Sequence, residues 1–345
     1  MAERRWTTDD FDYHLPDDLI AQHPVADRGA SRLLVVRRDQ DTLTDAGFPT
    51  IVDLVPPGDV LVVNSTKVRH ARLLGTRPSG GPAEVLLIHP MADGTWLAMG
   101  KPGSAMKPGK VIALTDAIGI ETVSVRDDGM RTVRAVGATM DEAIAAAGRL
   151  PLPPYITRDP TDEDEDRYQT VYAAREGSVA APTAGLHFTP AILDALRARG
   201  VTIVDLDLEV GPGTFRPVET DDITAHPMHA ERFRIPGAVA AAIAAARARD
   251  GKVWAVGTTV VRALESAARD DGTVAAGEAE TNLMITPGFR FRVVDRLQTN
   301  FHLPRSTLLM LVAAFAGYDL MREAYAHAVA GRYRFYSYGD AMCIL

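Results

Sequence analysis

Residues 252–269, KVWAVGTTVVRALESAAR, decide the fold. KVWAV is an apolar run of strand length, Gly257 interrupts it, and Thr258 and Thr259 lead straight into VVRALESAAR, which predicts a helix. A strand entering a helix through a small polar turn is the repeating unit of an α/β sheet. The flanking sequence repeats it. Upstream, Pro236 and Gly237 introduce the helix AVAAAIAAARAR, which stops at Gly251. Before that, Val204, Leu206, Leu208 and Val210 alternate with Asp205, Asp207 and Glu209, the period of a strand. Thr189 caps and Pro190 opens a still earlier helix, AILDALRAR, ended by Gly200. Downstream, FRVVDRLQ and TNFHLP precede the helix STLLMLVAAFAG, and near the start DVLVVN runs into a polar turn at Ser65 to Lys67. The expected architecture is α/β: three layers, with a mainly parallel sheet covered by helices.

Residues 71–137 read differently. ARLLGTR, AEVLLIHP, TWLAMG, KVIAL, ETVSVRDD and RTVRAVG are short alternating runs broken by Gly-rich turns, which predicts a small antiparallel β-barrel or sandwich. The expected domains are therefore a discontinuous α/β domain, 1–70 plus 150–345, and an inserted barrel, 71–149. PLPPYI, from Pro151, reads as a stiff return linker, and the acidic run DPTDEDED as a solvated loop.

The chain of 345 residues is long enough for two such domains at about 150 residues each. With 37 basic and 45 acidic side chains, its net charge of −8 excludes a broad positive field, so a nucleic acid would have to be gripped locally. The single cysteine, Cys343, supports neither an internal disulfide nor a thiolate cluster and suits a reducing cytoplasm. MAERRWTTDDFDY lacks the apolar segment of a signal peptide. Leu308 to Gly317, the longest apolar stretch, is about half a membrane span. No membrane partner is expected, and a monomer is.

Ligands of open α/β sheets bind beyond the strands' carboxyl ends. Four exits there carry unusual loops. GSVAAPTAGLHF offers Ser178, Thr183, His187 and Phe188, with His187 able to move protons near neutrality. EVGPGTFRPV combines Glu209 and Arg216 with Gly211, Gly213, Thr214 and Phe215. GTTVVRALES places Thr258 and Thr259 at a helix start, followed by Arg262 and Glu265, which suits an anion or forms an intrahelical ion pair. TNFHLPRS holds Asn300 and His302 around Phe301, a ring that either stacks on a base or anchors the core. HPMHAE gathers His226, His229 and Glu231, but without helical spacing or a further ligand a polar network is the better reading than a metal site. No GxGxxG after a strand, no GxxxxGK[ST] and no GxSxG occurs, which weighs against nicotinamide enzymes, P-loop NTPases and α/β-hydrolases.

Together, FDYHLPDDLIAQHP, DVLVVNSTKV, LPLPPYI, GSVAAPTAGLHF, VGPGTFRPV, HPMHAE, AVGTTVVRALES, PGFRFRVVDRLQTNFHLPRSTLLMLVAAFAG and YRFYSYGDAM resemble the S-adenosylmethionine:tRNA ribosyltransferase-isomerase family of queuosine biosynthesis. The resemblance runs from Phe11 to Met342. It implies that the ribosyl group of S-adenosylmethionine, a consumed co-substrate, is transferred and isomerised onto 7-aminomethyl-7-deazaguanine at the wobble position of a tRNA anticodon stem-loop. Epoxyqueuosine, adenine and methionine are the implied products, with no metal or redox cofactor. In this reading His187, Glu209, His229 and His302 are candidates for proton transfer. Thr258, Thr259 and Arg262 would hold the carboxylate, and Phe188, Phe215 or Phe301 would stack on adenine. Three positions depart from the family pattern: Glu209 replaces a usual histidine, Ser65 a usual asparagine or aspartate, and Arg69-His70 a usual Ile-Pro. They admit an alternative in which a small molecule replaces tRNA as acceptor. A non-catalytic RNA-binding module is a third reading, and it would leave the polar strand exits idle.

Overall fold

The computed structural model describes residues 4–211, 218, 220–223, 226, 228 and 230–345. Its larger sheet has nine strands, in the spatial order Gly277–Thr281, Glu231–Ile235, Thr202–Leu208, Val60–Asn64, Val253–Val256, Arg296–Asn300, Ala341–Ile344, Arg32–Arg37 and Thr42–Gly47. Alternation along each central strand builds two cores. Val60 and Val62 pack with the helices Gly237–Arg247, Thr258–Ser266, Thr307–Ala316 and Tyr318–Ala330 on one face. Leu61 and Val63 pack with Phe188 and the helix Pro190–Ala198 on the other. The sheet is thus sandwiched between helical layers.

The sheet is mixed, not mainly parallel. The four parallel pairings include the three at the centre, whereas both edges are antiparallel. Connection lengths explain the difference. A single crossover helix returns the chain for a parallel strand, but two consecutive helices, Thr307–Ala316 and Tyr318–Ala330, reverse it again. Ala341–Ile344 therefore runs antiparallel to Arg296–Asn300. Arg32–Arg37 and Thr42–Gly47 are joined by a tight turn and form a hairpin.

Residues 72–149 form a separate seven-stranded antiparallel sheet. Its strand Val111–Ala113 pairs back to Arg72–Thr76 through Thr76 and Ala113. Leu73, Val85, Leu87, Ala98, Ile112, Ile120 and Val133 are all buried together on its inner face.

The acidic run is not simply a solvated loop. Residues Asp162–Arg167 form a short helix, and Asp164 is fully buried in it. Its carboxylate accepts from both Nη atoms of Arg158 at 2.5 and 2.8 Å, from the Tyr338 hydroxyl at 2.6 Å and from the Thr161 backbone at 2.8 Å. Burial opposes this charge, yet the Arg158, Tyr338 and Thr161 hydrogen bonds prevail and hold the carboxyl well below the usual carboxylate range. The other acidic residues of DPTDEDED face water, and Asp164 alone is buried.

Candidate active site

A cleft with about 60 Å³ of enclosed space opens where several strand exits meet. Its wall includes Ala181 to Ala184, Val210, Gly257 to Thr259, Thr299 to Leu303, Ser306, and Tyr155 with Tyr336 and Ser337. Thr183, Thr258, Thr259, Asn300 and His302, chosen from three separate loops, therefore share one site. The turn at Gly257 makes this possible. Its φ of +92° is strained for other residues, and a Cβ there would approach the Ala184 Cβ to 3.3 Å. Glycine lets the start of the helix Thr258–Ser266 sit against the loop at Ala184, so the unpaired N–H groups of the first turn face the cleft.

His302 is 8% exposed. Its Nε2 shares a 2.9 Å hydrogen bond with the Thr299 hydroxyl, while Nδ1 has no partner among the described residues. Burial pushes its pKa down to about 3, so the ring is neutral. His187 lies behind the cleft wall, not on it. It packs on the Phe48 ring, and its Nδ1 lies 2.9 Å from the Ser31 Oγ. Burial lowers it to about 4.

Ser178 also acts from behind. Its Oγ shares a 2.7 Å hydrogen bond with the Thr66 hydroxyl and accepts the Val210 N–H at 2.8 Å, fixing a residue that does line the cleft. Glu231 and Arg262 form a buried ion pair. Glu231 accepts the Gly211 N–H at 3.1 Å, and Arg262 also donates to the Leu283 carbonyl at 3.0 Å. Arg262 is thus neither a cleft anion anchor nor the intrahelical partner of Glu265. Glu265 instead accepts the backbone N–H groups of Arg292, Val293 and Val294 at 2.9–3.1 Å.

Two stacking assignments do not hold. Phe188 is fully buried, edge-on to Phe48, and the Phe301 ring is enclosed by Tyr325, Tyr333 and Phe335. The aromatic surface comes from residues that the strand-exit reading missed. Tyr155, half-buried, and Tyr336 stack at 4.5 Å and 33°, and Tyr155 shares a 2.5 Å hydrogen bond with the Ser337 hydroxyl. Tyr155 belongs to the segment read as a linker. Aromatic density in YRFYSYGDAM, between a helix and the last strand, was the available signal for Tyr336.

Glu209 lies elsewhere, in a second cleft with Arg175, Asp207, Arg232, Arg234, Glu278 and Glu280. Burial raises its carboxyl pKa, Arg232 and Arg69 oppose this and Asp207 adds to it. Strand alternation accounts for the separation: Val210 faces the first cleft and its neighbour faces away. Of the departures from the family pattern, Ser65 donates to Asp205 at 2.8 Å, Arg69 sits 4.8 Å from the Trp96 ring centroid and His70 lies 2.7 Å from Glu165. His226 is half-buried, with its N–H on the Ile223 carbonyl. Gly213, Thr214, Phe215, Arg216 and His229 lie outside the described residues. Among the described residues no three His, Cys, Asp or Glu side chains are grouped to hold a metal ion, and no helix is long and apolar enough to cross a membrane.

The cleft thus joins a helix N-terminus, a neutral histidine and a tyrosine pair. The profile of a family described as queuosine biosynthesis protein matches residues 8–344. The chain belongs to this family. S-adenosylmethionine:tRNA ribosyltransferase-isomerase from Azoarcus sp. (strain BH72) is 53% identical over 335 residues, 97% of this chain and 96% of the relative. The protein of the same name from Anaeromyxobacter sp. (strain Fw109-5) is 52% identical, covering 97% and 98%. A crystal structure of S-adenosylmethionine tRNA ribosyltransferase from Thermotoga maritima is 36% identical, with a TM-score of 0.56 over 97% of this chain and 100% of that one. Membership in the queuosine biosynthesis family makes the chain an enzyme of the transferase-isomerase type.

Proposed function

We propose that the chain transfers and isomerises the ribosyl group of S-adenosylmethionine onto 7-aminomethyl-7-deazaguanine in a tRNA anticodon, in the cytoplasm, releasing adenine and methionine. The observation that carries this reading is the meeting of Thr258 and Thr259, His302 and the Tyr155–Tyr336 pair in one cleft. The helix start offers N–H groups to the methionyl carboxylate, and its dipole favours the same anion. Tyr155 supplies a face for adenine.

The positive sulfonium acidifies the C5′ hydrogens, and a cleft closed to bulk water preserves that acidity. His302 Nδ1 is placed to accept a C5′ proton. Opening of the sugar expels adenine, which leaves with a proton, and exposes an aldehyde at C1′. In this opening the C4′–O4′ bond breaks and leaves a C4′=C5′ vinyl sulfonium, to which the acceptor amine adds at C4′ with loss of a proton. The C5′ carbanion so formed attacks the C1′ aldehyde, and the resulting alkoxide displaces methionine from C5′ to close the epoxide. A histidine held at about 3 is a weak base, so it readily returns its proton to the leaving adenine. Replacing His302 by glutamine should lower turnover about 10²–10⁴-fold, the usual worth of a general acid–base group.

In this reading the discontinuous α/β unit, 1–70 and 150–345, carries the donor, and residues 71–149, curled into a barrel by the Thr76–Ala113 pairing, carry RNA. Charge supports that division. Three of the five lysines, Lys101, Lys107 and Lys110, lie in the exposed loop KPGSAMKPGK without a carboxylate partner among the described residues. Replacing all three by alanine should weaken stem-loop binding and reduce its salt dependence by a slope of about one per lysine. Affinity for S-adenosylhomocysteine should not change. The decisive assay mixes protein, S-adenosylmethionine and a stem-loop bearing the modified base. Adenine release with an equimolar gain of the five-carbon ribosyl-derived unit on the RNA is expected; adenine release without an RNA product would refute the tRNA acceptor.

A further inference from the structure

Two buried polar atoms of residues that line the cleft, the Asn300 Oδ1 and the Tyr336 hydroxyl, have no hydrogen-bond partner among the described residues. Their residues are 2% and 5% exposed. An unpaired buried polar group costs free energy, so a pair of them on one cleft calls for a ligand that satisfies both. Their chemistry is definite. Asn300 Nδ2 donates to the Tyr336 carbonyl at 2.9 Å, an atom that can only accept, which fixes the amide orientation. Its second hydrogen points to His187 Nε2 at 3.2 Å. Neutral His187 therefore accepts at Nε2 and donates from Nδ1 to Ser31 Oγ. Asn300 Oδ1 is left as an acceptor. Burial raises the pKa of Tyr336 far above neutrality, so its hydroxyl keeps its proton and can donate.

We propose that Asn300 Oδ1 and the Tyr336 hydroxyl read the edge of adenine, and that His187 is a positioning residue that aims the Asn300 amide. The inference rests on the S-adenosylmethionine reading of the cleft and names how the base is told apart. Adenine presents an exocyclic N–H beside a ring nitrogen acceptor, which complements one acceptor and one donor. Hypoxanthine carries an oxygen where adenine carries the amine, and that oxygen would face Asn300 Oδ1. Tyr336 is also the ring stacked on Tyr155, so the polar atoms and the stacking face belong to one subsite. Its backbone, at a φ of +70°, is held by the hydrogen bonds of its N–H to the Phe301 carbonyl and of its carbonyl to Gly339 and Asn300.

The test is calorimetric binding of S-adenosylhomocysteine and S-inosylhomocysteine to the wild-type protein and to Asn300→Ala, Tyr336→Phe, His187→Leu and His187→Gln. The wild type should prefer the adenine compound by more than about tenfold, the worth of a matched hydrogen bond against an unpaired one. Asn300→Ala and His187→Leu should reduce the preference to near unity, and Tyr336→Phe should weaken the adenine compound about tenfold. His187→Gln, whose amide can still accept from Asn300 and donate to Ser31, should restore the preference. Binding by all variants with the wild-type preference, or a His187→Gln protein no more selective than His187→Leu, would overturn the proposal. A wild-type protein that binds neither compound would remove the S-adenosylmethionine reading itself, an outcome distinct from unchanged selectivity. Thermal unfolding of each variant separates lost folding from lost recognition.

Discussion

Arg262→Ala is expected to lower the unfolding free energy by about 3–5 kcal/mol, the range for breaking one side of a buried ion pair. Both Arg262 and Glu231 side chains are 5% exposed, so the lost cation leaves a carboxylate that water cannot reach. Arg262 also ties the helix Thr258–Ser266 to the segment that follows the edge strand, through the Leu283 carbonyl, and that link disappears as well. Replacing both partners, with Arg262→Met and Glu231→Leu, removes both buried charges and should recover much of the loss. Urea midpoints at constant m-value read the difference. Gly211 follows Val210, a cleft residue, so the single variant should also bind S-adenosylhomocysteine more weakly. A single variant less than about 1 kcal/mol below wild type would show that the pair is not held as described.

The second large effect is loss of stability in mild acid. In the folded protein burial holds His187 at about 4 and His302 at about 3, whereas an unfolded histidine titrates near about 6.5. Above pH of about 6.5 both states are neutral at these positions and the stability is fully present. As pH falls further, the unfolded chain takes up protons that the folded one refuses, and stability declines towards the folded values. With two groups the slope approaches about 2.7 kcal/mol per pH unit. Asp164 acts lower down. Its depressed carboxyl contributes stability above about pH 4, lost only as pH falls further. Unfolding free energies measured from pH 7 to 4 should show the histidine slope, and the double variant His187→Gln, His302→Gln should flatten it whatever its stability at neutrality. An equally steep wild-type and variant slope would assign acid loss to other groups.

The strand-turn-helix units were legible because each carries its own periodicity and its own stop signals. KVWAVGTT and TNFHLP were also legible as neighbours in space, since adjacent parallel strands end at the same edge. The ring directions of Phe188 and Phe301 were not, because an aromatic residue beside a polar one fits either face of a turn. Core packing took both. Arg262 found Glu231, 31 residues earlier in the chain, instead of Glu265 one helical turn away. Local spacing names a possible pair, but a sheet edge supplied a more enclosed one. Asp164 escaped notice for a similar reason: nothing in DPTDEDED marks which carboxylate meets Arg158 and Tyr338. Tyr155 and Tyr336 lie 181 residues apart, and only the fold shows that they stack.

Hydrogen exchange with and without S-adenosylhomocysteine tests most directly where the nucleoside binds. Protection is expected in residues 181–184, 257–260, 299–303 and 336–337, with the strand at 277–281 unchanged. Protection confined to the strands around Asp207, Glu209, Arg232 and Glu280 would place the ligand in the other cleft and contradict the assignment.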